Sequence, residues 1–225
     1  MLCCFTAAFV SGCVPSASEP NTTPRFTILS TFFNEQDSTH SVLWHRKTTG
    51  AGDQYFLRWF DHSGPNKLSA IFPTVSYFHS RDTVTKQVTD NAYMIADSIV
   101  IEYVSTKDTS VSPVTRLHGF LEKGASFDAA KGFVTSNGAT INIIADVDDY
   151  FGAYNISGSY YIDVFHITYT VTDVTSSTQP LEPEYQKGAT LGVYYVKTIG
   201  PVYKIAKDPT GATVWSEEVL QTYSR

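Results

Sequence analysis

The sequence predicts an all-β protein: a single domain built as a curved antiparallel sheet, or an open or half barrel, of about ten or more strands with little helix. Three observations predict it. Charged residues make up 17% of the chain while aromatics reach 14% and Thr, Ser and Val are abundant, a balance that favours pleated, half-buried surfaces. Apolar segments are short and are separated by clusters of Gly, Pro, Asn and Asp, as strands joined by turns require. No repeat of fixed period is visible, so the strands form one unit, and a chain of 225 residues folded as one unit buries roughly 70% of its unfolded surface.

In chain order, RFTILSTFF from Arg25, DQYFLRWFDH from Asp53 and KLSAIFPTVSYFH from Lys67 read as strands, divided by TTGAGD and HSGPN. Asp61 to Asn66 has the composition of a hairpin loop. DTVTKQVT and AYMIADSIVIEYVS read as a pair joined at Asp90-Asn91. Within SIVIEYV, Ile99, Ile101 and Tyr103 form a purely apolar or aromatic face opposite Val100, Glu102 and Val104; the first face is expected to meet the core.

Asn137-Gly138 is a strong hairpin signal ahead of TINIIADV. SYYIDVFHITYTVTD is long enough for one extended strand, with Tyr161, Asp163, Phe165, Ile167 and Tyr169 on one face and Tyr160, Ile162, Val164, His166 and Thr168 on the other. Both faces are bulky, which predicts a central strand covered on both sides. After the polar loop VTSSTQPLEPEYQKG come three short strands, ATLGVYYVKT, GPVYKIAKD and TVWSEEVLQTY, turning at Ile199-Gly200 and Pro209 to Gly211.

Cys3, Cys4 and Cys13 are the only cysteines, so residues 14–225 can form no internal disulfide. Residues 2–12, LCCFTAAFVSG, are apolar or small and too short to span a bilayer as a helix, like the apolar core and cleavage site of a secretory signal. No Lys or Arg precedes that run. Val10, Ser11, Gly12 and Cys13 resemble the lipobox of bacterial lipoproteins. The resemblance implies that residues 1–12 are a signal peptide, that Cys13 becomes the lipid-bearing first residue, and that the chain is held on a bacterial cell-envelope membrane, facing the periplasm or the surface. Residues 13–24 are then the lipidated Cys and a flexible tether; VPSASEPNTTP reaches about 35 Å if extended. The β domain occupies residues 25–225.

Tyr194, Tyr195, Lys197, Gly200, Val202 and Lys204, in YYVKTIGPVYK, resemble a strand turn that closes many bacterial envelope lipoproteins, preceded as here by a strand of the GSYYIDVFHITY type. The resemblance covers residues 158–206. It implies an open, curved sheet similar in architecture to the Lol-type lipoprotein carriers, and no catalytic residue. As a hairpin, the segment places Gly200 in the turn and is expected to pair Tyr195 with Val202.

The formal charge of −6 is spread without a Lys/Arg cluster, so nucleic acid is not expected as a partner. Asp146, Asp148 and Asp149 in IIADVDDYFG are spaced as a hard cation could use, but no acidic loop with a distal Glu follows, and a solvated acidic turn is the plainer reading. The six histidines are scattered, and no Gly-x-Ser-x-Gly or Gly-rich phosphate loop appears. No cofactor is expected. Aromatics remain: Trp44, Tyr55, Trp59 and Tyr77 in one group, Tyr160 and Tyr194 in another. They fill a core, or line a hollow for an apolar ligand.

Three functions are therefore open. A lipid-anchored, non-catalytic envelope protein that binds an apolar ligand or a protein partner needs an aromatic-lined hollow. A carbohydrate-binding or adhesive protein needs exposed coplanar rings. An envelope hydrolase needs a His within hydrogen-bond reach of a Ser or Asp in a cleft. The first is preferred, because it asks for no residue the sequence lacks.

Overall fold

Short alternating segments joined by tight turns pair with their chain neighbours, and in the computed structural model this pairing runs almost full circle. The structure describes residues 24–32, 40–61, 76–105, 111–135, 137–175 and 180–224. The strands are β1 (His40–Thr48), β2 (Gln54–Asp61), β3 (Ser76–Asp82), β4 (Val88–Ala96), β5 (Ile99–Ser105), β6 (Val111–His118), β7 (Ser126–Val134), β8 (Thr140–Ile156), β9 (Ser159–Val174), β10 (Thr190–Val196), β11 (Gly200–Lys207) and β12 (Thr213–Ser224). They form one antiparallel sheet of 12 strands in the order β6-β5-β4-β3-β2-β1-β12-β11-β10-β9-β8-β7. Among the described residues the only pairing of strands not consecutive in the chain is β1 with β12.

The protein is thus all-β, a nearly closed barrel. Its free edges, β6 and β7, are consecutive in the chain and pack through side chains: Val114 of β6 joins Ala130 and Phe133 of β7 in one cluster. Both edges are irregular. Pro113 lies within β6, and β7 shifts register twice around Gly132, whose φ of 74° suits glycine.

Two short 3-10 turns complete the described elements, Leu29–Phe32 and Pro183–Tyr185. The first overturns the strand expected from Arg25. Among the described residues of that segment Phe26 alone makes a β-bridge, an isolated one to Leu121, and the chain then coils so that Leu29 and Phe32, both fully buried, face the same way. Residues three apart eclipse in a 3-10 turn, and this pair plugs the interior against Val100, Leu117, Phe165 and Tyr195.

The hairpin expected at Asp90-Asn91 lies elsewhere, because both residues are inside β4. The turn is at Asp82 to Gln87, where the Asp82 carboxylate accepts from the Val84 and Thr85 amides, each at 2.7 Å; those amides hold its pKa below the usual range. A second turn at Asp97-Ser98 divides the segment read as one strand into β4 and β5. Asp61, expected to open a loop, is the last residue of β2 and pairs with Tyr77; residues 62–66 of that loop, and residues 1–23, lie outside the described residues.

The inner face of β9 is Phe165, Ile167, Tyr169 and Val171, all buried, continuing the expected alternation. Its outer face is not covered throughout: Tyr160 is 82% and Ile162 71% exposed. At Asp163, with φ of 52°, β9 leaves β10, whose pairing ends at Val196↔Val164. The free end of the β8–β9 hairpin reaches β12, where Ser157 donates to Glu218; Ile156, Val164, Val196 and Val202 are buried together there. Tyr195 pairs with Pro201 instead of Val202, because the register shifts at Tyr194/Tyr195.

Candidate functional site: a charged hollow inside the barrel

The plug end of the barrel is filled, whereas the inner faces of β1, β2, β11 and β12 leave space. A cavity of about 440 Å³ is walled in part by Val114, Phe133, Val171, Leu191 and Val193. A second, of about 240 Å³, is walled by Val42, Trp44, Phe60, Ile199 and Val219. Arg58, Phe78, Tyr93, Pro201 and Lys204 border both, so the two are lobes of one interior.

Alternation along each strand brings charges inward. Phe56, Arg58 and Phe60 share the inner face of β2, and Trp215, Glu217 and Val219 that of β12. Arg46 of β1, Glu217 and Lys204 of β11 occupy three successive cross-strand positions. Arg58 donates both terminal nitrogens to Glu217, at 2.8 and 3.0 Å, and Arg46 adds a bond of 2.7 Å through Nε. Glu217 is 1% exposed. Burial alone would raise its pKa, but Arg58, Lys204 and Arg46 outweigh that and bring it down to about 2.

A second pair lies across the hollow. Arg116 donates to Glu102 at 2.6 Å, and Asn91 donates to the other carboxylate oxygen, also at 2.6 Å. Burial opposes ionisation of Glu102, yet Arg116 and Lys204 hold its pKa below the usual range. Tyr169 donates to the Arg116 carbonyl, and its hydroxyl lies 3.0 Å from that of Tyr195. Burial pushes the Tyr195 pKa up to about 12.

Glu102 reverses the face assigned to β5. Val100 and Glu102, 0% and 6% exposed, point inward, whereas of the face expected to meet the core Ile99 and Ile101 are only half-buried and Tyr103 alone is buried. An interior that contains Arg116 needs a carboxylate more than another methyl group.

Among the predicted site residues, Trp44 lines the smaller lobe with 4% exposure. Trp59 borders the same lobe, but alternation along β2 puts it on the face of Tyr55, and its ring stacks on His79 at 5.2 Å. Tyr77 lies in β3, but its side chain is outside the described residues. Tyr55 is on the outer face, stacked on His45 at 4.7 Å. Tyr194 is also outside, stacked between Tyr154 and His166, and Tyr160 stands in solvent. These six residues therefore do not form one lining. Arg58, Glu102, Arg116, Lys204 and Glu217 do border the hollow and were not expected from the sequence as site residues. Arg58, Glu102, Lys204 and Glu217 have apolar residues two positions away on both sides, and Arg116 has Val114 on one side, a signal that could have found them.

The acidic trio falls within β8, not at a strand end, and two of the three bond to protein. Asp148 is 3.1 Å from His166 Nδ1 and accepts from Thr168; Asp149 accepts from Lys123 at 2.9 Å. No group of three or more His, Cys, Asp or Glu that could hold a metal occurs among the described residues. His45 lies on the outer face between Asp53, at 3.0 Å, and Glu218, at 3.3 Å. Ser157 donates to Glu218 and not to His45, so the base beside this hydroxyl is a carboxylate. Cys13 lies outside the described residues.

No family model matches the chain, and no curated protein does. Two solved structures resemble it in fold. One, from Bacteroides fragilis, is described as a candidate exported protein with a YmcC-like fold; its TM-score is 0.51 at 9% identity, over 84% of this chain and 97% of that one. The other, from Parabacteroides distasonis, is described as a candidate lipoprotein; its TM-score is 0.54 at 8% identity, over 85% of this chain and 98% of that one. The nearly closed barrel is thus a fold shared with two bacterial proteins, one described as exported and one as a lipoprotein.

Proposed function

We propose that this chain is a non-catalytic ligand-binding protein of the bacterial cell envelope, anchored through a lipid on Cys13, that holds a mainly apolar small molecule inside the barrel. The observation that carries the reading is the two-lobed hollow, with one lobe of about 440 Å³ in the range of ligand pockets and walls of Val, Leu, Phe and Trp. Barrel diameter grows with strand number, and 12 strands enclose more width than the eight whose interior side chains just fill. The lipobox-like Val10 to Cys13 and the descriptions of the two structural neighbours support the envelope location, and the apolar side chains of the walls support an apolar ligand.

Titration with the apolar fluorophore N-phenylnaphthylamine tests the reading. One saturable site is expected, weakened when Leu191→Trp fills the larger lobe; absence of saturable binding would overturn it. Membrane fractionation of the wild type beside Cys13→Ala tests the anchor, with release of the variant alone as the expected result.

A further inference from the structure

Four carboxylates border the hollow, Glu102, Glu182, Glu184 and Glu217; Glu184 accepts from the Trp215 indole at 3.2 Å, and the two that act on Lys204, Glu217 and Glu102, are already engaged. Glu217 serves Arg58 and Arg46, and Glu102 serves Arg116 and Asn91. Lys204 is the cation left over. Its direct cross-strand partner is Glu217, yet among the described residues its ammonium makes no hydrogen bond or ion pair. It lies 5.3 Å from the Trp44 ring, a contact that favours a cation but supplies no hydrogen-bond acceptor. An ammonium has three donors, and enclosing them without an acceptor is costly. Lys204 nevertheless sits where the lobes meet, with Arg58 and Tyr93 beside it.

The geometry points to a single-chain amphiphile with a carboxylate headgroup as the ligand, its carboxylate on the Lys204 ammonium and its chain in the lobe walled by Val42, Trp44, Phe60 and Val219. The inference rests on the hollow being a ligand site, as proposed above, and adds the chemistry of the headgroup. Glu217 and Glu102 act on the Lys204 charge from a distance, but its donors have no direct acceptor, and a carboxylate headgroup supplies one. The smaller lobe, about 240 Å³, is below the usual size of a drug-like site and has room for one slender chain.

Calorimetric titration of the full chain with dodecanoate, dodecanol and dodecylamine, all below micelle formation, tests it. Dodecanoate is expected to bind at least about ten-fold more tightly than dodecanol, as a charge-assisted hydrogen bond allows, and dodecylamine most weakly. Lys204→Met, checked for wild-type circular dichroism, should bind dodecanoate only as well as dodecanol, while Lys204→Arg should retain the preference. Equal affinity for dodecanoate and dodecanol in the wild type would overturn the headgroup and leave the ligand cavity standing. A preference that survives Lys204→Met would overturn the role of Lys204. Binding of none of the three probes, together with no saturable fluorophore site, would overturn the cavity itself.

Discussion

The two ends of the barrel are built from the same sheet and filled in opposite ways. At the plug end, Phe26, Phe32 and Phe165 meet edge to face with ring centroids 5.5 to 5.6 Å apart, and Leu29, Phe32 and Phe165 have no exposed surface. At the other end, Arg58, Glu217, Arg46 and Lys204 surround space. Ring packing of the first kind stabilises through area and contact, whereas burying ion pairs gains little net stability and fixes geometry instead. The plug end therefore holds the fold, and the charged end carries the candidate site at some cost to the fold.

Two substitutions test this contrast most strongly. Phe165→Ala should cost about 3–5 kcal/mol in urea unfolding, and Glu217→Ala, which strands Arg58 and Arg46, about the same. They differ in pH dependence. Glu217 has a folded pKa depressed to about 2 from 4.5, so its contribution is complete above 4.5 and is lost as pH falls toward 2. The gap between wild type and Glu217→Ala should narrow across that window, and that for Phe165→Ala should not. Equal pH profiles would mean that the charged end is held by packing as well.

Lys204→Met comes next and has the opposite sign. Burial lowers Lys204 to about 8 from 10.5, so the charged side chain destabilises the fold below pH 8, and this penalty fades as pH rises to 10.5. The variant should be more stable than the wild type by about 1–3 kcal/mol at pH 7, and equal to it near pH 10.5. A loss of stability at pH 7 would make Lys204 a structural residue.

Smaller effects belong to the outer face. A Cβ at Gly192 would stand 2.9 Å from His166 Nε2 and 3.3 Å from Ile205 Cγ2, so Gly192→Ala should cost about 1 kcal/mol as the His166 ring shifts. The exposed pair Lys123–Asp149 is the smallest case: Lys123→Ala should change stability by less than about 1 kcal/mol.

Much of the fold was legible in the sequence, because strand periodicity and turn chemistry are local. The Asn137-Gly138 hairpin, the single long strand of β9 and the three short strands after it all appear where their residues place them. What was not legible depended on the interior. Alternation divides Ile99 and Ile101 from Val100 and Glu102, but it does not say which face turns inward, and a polar interior inverts the usual choice. The spacing of Leu29 and Phe32 fits a 3-10 turn, yet the β-branched and aromatic composition around it suits a strand equally. The candidate site was legible only at Trp44 and Trp59. Arg58, Lys204 and Glu217 each read alone as a solvated charge, and only the register of β1, β2, β11 and β12 makes them neighbours.

The seam between β6 and β7 bears on how the protein behaves when crowded. An open sheet offers two rows of unpaired backbone groups to which another chain can add a strand. Here the two rows are turned toward each other, one interrupted by Pro113 and the other by the bulges about Gly132. A second copy would have to part the packing of Val114 on Phe133 before it found a straight edge, so the barrel resists edge-to-edge aggregation without closing its last ladder.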